Sequence, residues 1–136
     1  MENVISRVDV VRTIYGAFAR GDVPTVLAQL TPDVEWEYGA DDTDVPWLQP
    51  RHGRGAVPAF FAAFGGATDL LRFDVKELLE GVDVVIAIID IEFAVPATGT
   101  VVIEEDQIHI WQFTGSHVSR FRHRCDTHQH LRAFQT

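Results

Sequence analysis

DVVIAIIDIEFAVPATGTVVIEEDQIHIWQFTGSHVSRFRHRC, residues 83–125, decides the fold. Its apolar residues alternate with period two, as in a strand whose side chains point to opposite faces in turn. Pro96-Ala97-Thr98-Gly99 and Thr114-Gly115-Ser116 interrupt the alternation with turn-forming residues. Strands are therefore expected over 83–95, 100–113 and 117–125. Another, LRFDVKELL (71–79), precedes them across Glu80-Gly81. Links this short join antiparallel neighbours, so the four form a meander.

Upstream the period changes. Val4, Val8, Val11, Tyr15 and Phe18 recur at spacings of four and three, one face of an amphipathic helix, with Gly21 suited to its C-terminal cap. Asp22 can cap a short second helix with Pro24 in its first turn and Val26, Leu27 and Leu30 inward. Thr31-Pro32-Asp33 ends it, and VEWEY (34–38) alternates as a strand. Residues 39–55 hold five glycines and prolines without periodicity and read as a long loop. AVPAFFAAF (56–64) is a third helix ended by Gly65-Gly66, and Asp126-Thr127 opens a last one, HQHLRAF. Helices first and a sheet after predict one α+β domain over residues 1–136. Its curved antiparallel sheet wraps around the N-terminal helices as a cone.

Composition narrows the function classes. The 20 acidic residues against 11 basic ones give a net charge of −9, which argues against a nucleic-acid partner. No apolar run approaches the roughly 20 residues of a membrane helix, so no membrane role is expected. MENVISRVDVV lacks the basic start and apolar stretch of a signal peptide. The single cysteine forms no internal disulfide, and a cytoplasmic protein is the expectation.

IYGAFARGDVPTVLAQLTPDVEW (14–36), GRGAVPAFF (53–61), PATG (96–99), IHIWQF (108–113) and VSRFRHRCDT (118–127) resemble the SnoaL-like group of the nuclear transport factor 2-like superfamily. The resemblance covers nearly the whole chain. It implies the cystatin-like cone with a pocket inside. It also brings in the related ketosteroid isomerases, limonene epoxide hydrolases and polyketide cyclases. The isomerases' tyrosine and two aspartates correspond to Ile14, Tyr38 and His109 here, which speaks against steroid isomerisation. The hydrolases' Asp-Arg-Asp trio corresponds to Asp90, Ile88 and His123, with Trp36 and Tyr38 in place of the helpers. One aspartate survives, and a histidine replaces the other.

Strand parity gives an independent reading. Phe121, His123 and Cys125 share one face of the last strand and Arg120, Arg122 and Arg124 the other. Three arginines do not line a dry cavity, so the Phe-His-Cys face is expected to point inward. Glu105, Gln107, His109 and Trp111 are grouped with it on the preceding strand, and Ile86, Ile88, Asp90 and Glu92 on the one before. The opposite row, Val85, Ala87, Ile89, Ile91, Phe93 and Val95, is too apolar for water, and a homodimer through that outer face is the expectation. Asp90 and Glu92 read either as solvated rim residues or as pocket carboxylates.

His123, Cys125, His128 and His130 lack the spacing of a zinc motif, so no metal is expected. His117, His128 and His130 read as exposed, Cys125 as a small buried hydrophobe, and Asp126 as a helix cap. His123 and His109 are either core histidines satisfied by a neighbour or acid–base groups suited to neutral pH. The functional expectation is a small cofactor-independent enzyme doing acid–base chemistry, as an isomerase, cyclase, dehydratase or hydrolase. Its catalytic residues are expected to be His123 as base or acid, Asp90 as its partner and His109 as a second donor. Its substrate is an apolar or ring-containing small molecule against Trp36, Tyr38, Glu92, Glu105, Trp111 and Phe121. The alternatives are a dimeric protein that binds a hydrophobic ligand without transforming it, and an associative domain with a collapsed pocket.

Overall fold

A computed structural model describes residues 6–38 and 45–135, except the side chain of Tyr38. Val4, residues 39–44 of the long loop and the Tyr38 side chain thus lie outside the described parts. Among these residues, four α-helices pack on one six-stranded sheet. Helix α1 is Arg7–Arg20, α2 Val23–Ala28, α3 Val57–Ala67 and α4 Thr127–Gln135; the strands are β1 Leu30–Tyr38, β2 Arg51–His52, β3 Asp69–Gly81, β4 Val84–Val95, β5 Thr100–Thr114 and β6 His117–Arg124. The sheet order is β2-β1-β6-β5-β4-β3. The expected meander is present, and β1 closes the inner side by pairing parallel to β6.

Local signals place the helices. Ser6 caps α1 through the Asp9 amide, and Gly21 ends it at φ 69°, where a side chain would be strained. Asp22 accepts from the Thr25 amide to start α2. Asp126 caps α4 through the Gln129 amide. Gly65-Gly66 do not stop α3, which runs on to Ala67 because both glycines are exposed and the helix is anchored by Phe60 and Phe64 inside. Helix α4 is tied to the sheet by Gln129, which brackets Ile103 with both ends of its amide, 2.8 and 3.1 Å.

Inside and outside on β4 are the reverse of the expectation. Val85, Ala87, Ile89, Ile91, Phe93 and Val95 face the helices and are buried. Each large side chain so removed from water contributes about 1.5–3 kcal/mol. The row of Ile86, Ile88, Asp90 and Glu92 faces outward. Apolar residues on both sides of β4 left its parity ambiguous, and the larger continuous row went to the core.

The sheet bends at Asp90, where two bulges meet. On β3, Lys76 is the extra residue between the pairs Val75–Ile89 and Glu77–Ile88. On β5, Glu105 and Asp106 both lie between the partners of Ile91 and Ile89, with Asp106 at φ 58°. The Asp90 carboxylate joins both bulges: it accepts from the Asp106 amide at 3.1 Å and pairs with Lys76 at 2.9 Å. Arg72 approaches at 3.5 Å. Lys76 first, then the Asp106 amide, hold this carboxyl below the usual carboxylate range. Asp90 is thus a structural pin for the bend.

Candidate functional site

The bend turns β5 over, and this decides which residues enter the cone. The two-residue bulge puts Glu104 and Gln107 on the same inner face and leaves Glu105 exposed. Beyond it, Gln107, His109, Trp111 and Phe113 alternate inward. On β6, Val118, Phe121 and His123 point the same way, as expected for the latter two. His109 and His123 are a cross-strand pair, with ring centres 5.1 Å apart.

Aromatic rings wall the cavity that results. Phe121 lies between Trp36 and Trp111, at 4.4 and 4.3 Å ring to ring. Phe60, Phe61 and Phe64 of α3 close one side, and Tyr15, Phe18 and Phe73 another. The cavity holds about 40 Å³. That is room for a few waters rather than a ring, since one water needs about 10–15 Å³. Phe18, Phe61 and Phe64 also border the surface groove between α1, α2 and α3. Phe18 and Phe61 are half-buried and line both the cavity and the groove.

Tyr15 and His109 bring polar atoms to this wall, but those atoms face each other and their partners, so the surface open to the cavity is carbon. The Tyr15 hydroxyl hydrogen-bonds Nδ1 of His109 at 2.7 Å, and its oxygen accepts from the Trp111 indole at 3.0 Å. Nε2 of His109 lies 2.9 Å from Oε1 of Gln107. Burial pushes the Tyr15 phenol up, so it stays protonated, and pushes His109 down to about 3, so it stays neutral. The resting pair is a neutral phenol and a neutral imidazole.

Of the expected site residues, Trp36, His109, Trp111 and Phe121 line the cavity. His123 stands behind His109, with burial first, then the neighbouring His109, His130 and Arg124 side chains, lowering its pKa well below the ordinary value. Asp90 does not join it. His123 shares the inner rung of His109 and Ala87, whereas Asp90 lies between the inward-facing Ile89 and Ile91 and is held on the outer face by Lys76. Glu92 is on that outer face, 3.9 Å from Arg72. Glu105 is exposed, for the reason given above. His52 is exposed and pairs with Glu35 at 2.6 Å.

The expectation for His130 also needs correcting. His117 and His128 are exposed, but His130 is fully buried under α4. Its Nδ1 accepts from the Trp47 indole at 2.9 Å and its Nε2 meets Glu104. Cys125 is half-buried beside them, and donor atoms of Glu104, Cys125 and His130 lie within 4.8 Å of one another. The set is a poor cation site. A neutral imidazole that accepts at Nδ1 carries its proton on Nε2, which leaves no lone pair toward the cluster. Burial first, then Glu104 and Asp126, push the Cys125 thiol up, which keeps it a thiol.

Sequence reasoning missed Tyr15, Glu104 and Trp47. Tyr15 was legible as part of the α1 apolar face, and a phenol on such a face calls for a buried partner. Glu104 was hidden by the bulge. Trp47 sits in a loop with no periodicity to place it.

A family model described as a SnoaL-like domain matches residues 11–121. No curated protein matches the sequence. Solved structures do. An NTF2-like protein of unknown function from Burkholderia pseudomallei is 25% identical with a TM-score of 0.86, over 97% of this chain and 100% of that one. An NTF2-like protein from Burkholderia thailandensis is 21% identical with a TM-score of 0.84, over 98% and 100%. TerC, co-crystallised with polyporic acid, is 20% identical with a TM-score of 0.80, over 96% and 98%. The latter two likenesses concern the fold alone. Among the described residues, no helix is long and apolar enough to cross a membrane.

Proposed function

The chain belongs to the SnoaL-like family, and on that premise we propose that it takes an apolar, ring-containing small molecule into the aromatic cavity and does acid–base chemistry on it at Tyr15 and His109. The observation that carries this reading is the 2.7 Å contact between the polar atoms of two residues that line the cavity. A substrate hydrogen next to a carbonyl leaves as a proton to the Tyr15 oxygen. The phenol's own proton passes to Nδ1 of His109. The electron pair stays on the substrate as an enolate, and the products are enolate and imidazolium, so charge balances. Forming an imidazolium is costly at a site that lowers His109 to about 3. The enolate beside it offsets that cost, because opposite charges attract strongly where water is excluded. Returning the proton to another atom isomerises the substrate; attack by the enolate carbon closes a ring.

The second reading is binding without turnover. It is favoured by the mutual satisfaction of Tyr15, His109 and Trp111, which leaves a lining of rings. Solvent extraction of the purified protein, followed by mass spectrometry, tests the shared part of both readings. An apolar cyclic compound is expected, and Phe61→Trp, which fills the mouth, is expected to reduce its yield. Extraction of only polar or acyclic compounds would count against the cavity as the site.

We also propose a homodimer, through the true outer face. Leu79, Ile86 and Ile110 are register partners there, as are Ile88 and Ile108. Arg122 and Arg124 flank this patch on β6 and Glu77 on β3. A second copy related by a twofold axis lays the basic edge on the acidic one. Ile108→Lys is therefore expected to halve the mass seen by sedimentation without altering the fold. A monomeric parent protein would reject the proposal.

A further inference from the structure

The hydrogen bonds of His109 continue into the protein well beyond the cavity. Gln107 accepts from His109 through Oε1 and donates through Nε2 to Oε1 of Glu104 at 3.2 Å. The same carboxylate oxygen accepts from Nε2 of His130, and Oε2 accepts from the Asp126 amide at 2.8 Å. Nδ1 of His130 accepts from Trp47. The chain thus runs Trp111, Tyr15, His109, Gln107, Glu104, His130, Trp47. Both ends are indoles, which only donate, and the centre is a carboxylate, which only accepts.

That composition leaves no freedom of direction. Glu104 accepts, so the Gln107 amide must turn its NH₂ toward it and its oxygen toward His109. His109 must then carry its proton on Nε2, which leaves Nδ1 bare for the Tyr15 hydroxyl. Trp111 is compatible with this order without imposing it: Tyr15 accepts its N–H, and the remaining lone pair of the oxygen can accept from an Nδ1–H as readily as the hydroxyl can donate to a bare Nδ1. An amide does not pass protons readily, so Gln107 transmits orientation, not charge. We propose that Glu104, acting through Gln107, is the positioning residue that selects the His109 tautomer, with His130 and Trp47 bracing the carboxylate from behind. The consequence for rate rests on the reading of Tyr15 and His109 as the reactive pair: the wrong tautomer presents an N–H to the phenol and can take no proton from it.

The test is long-range proton–nitrogen NMR of the imidazoles in the uniformly labelled protein at pH 7. His109 is expected as a single species, protonated on Nε2 and bare on Nδ1. Glu104→Gln replaces the pure acceptor by a group that can face either way, and should split the His109 signals into two tautomers. Gln107→Met severs the link and should do the same while leaving His130 paired to Glu104, which covers the case that the first variant fails to fold. Trp47→Phe should shift the His130 signals and leave those of His109 in place. A wild-type His109 protonated on Nδ1 would overturn the proposal. So would a single tautomer that survives in both Glu104→Gln and Gln107→Met. The signals are read without substrate, so this failure is distinct from failure of the reactive pair, which Tyr15→Phe reports.

Discussion

Tyr15→Phe is expected to lower kcat by about 10²–10⁴-fold, the usual contribution of a positioned acid–base group, with little change in KM. The ring stays and keeps its contacts with Phe73, His109 and Trp111 at 5.6–5.8 Å. Only the oxygen goes. The substitution leaves Nδ1 of His109 and the Trp111 N–H without the hydroxyl they share. A buried polar group so deprived costs about 1–3 kcal/mol, which a denaturant titration reads as a lower midpoint. The two effects separate cleanly, because a folded but destabilised variant still binds. Loss of binding with kcat unchanged would mean that Tyr15 is only wall.

Acid is expected to unfold this protein earlier than its carboxylates alone require. An unfolded histidine titrates near 6.5, whereas burial lowers His109 to about 3. Between those values the unfolded chain binds a proton that the native chain refuses. Stability is therefore full above about pH 6.5 and falls as pH drops toward 3, by about 1.4 kcal/mol per pH unit for each such group. By pH 4.5 His109 alone accounts for about 2–3 kcal/mol, a large share of the stability of a small domain. His123, also lowered by burial, acts in the same direction. Asp90, held below the ordinary carboxylate range, adds its loss only at still lower pH. Thermal melts from pH 7 to 4.5 should show this slope, and His123→Phe should flatten it. A stability constant over that range would contradict the burial of neutral imidazoles.

The architecture was readable because its signals are periodic. Alternation over 83–125 marks three strands and their turns, and spacings of three and four mark α1. Residue faces were readable only where one side of a strand is polar. On β6 the arginines exclude themselves from the cone, so Phe121 and His123 are placed correctly. On β4 both sides are apolar, and the core went to the opposite row. On β5 alternation works from Gln107 onward and fails before it, because a bulge changes which residues share a face. Asp90 illustrates the cost: its carboxylate resembles a pocket residue in sequence, yet it belongs to the bend that makes the pocket. The Tyr15–His109 contact spans 94 positions, a separation that no local pattern reports.

In the proposed mechanism the phenol–imidazole pair moves a proton to and from whatever occupies the cavity. Solvent-deuterium exchange measures this directly, using the extracted compound or, for a first trial, cyclic ketones in heavy water. Wild-type protein is expected to carry deuterium into the position next to the carbonyl, and Tyr15→Phe to carry almost none. A cavity shown to be occupied, with no deuterium in the bound compound, would contradict the claim and leave a binding protein.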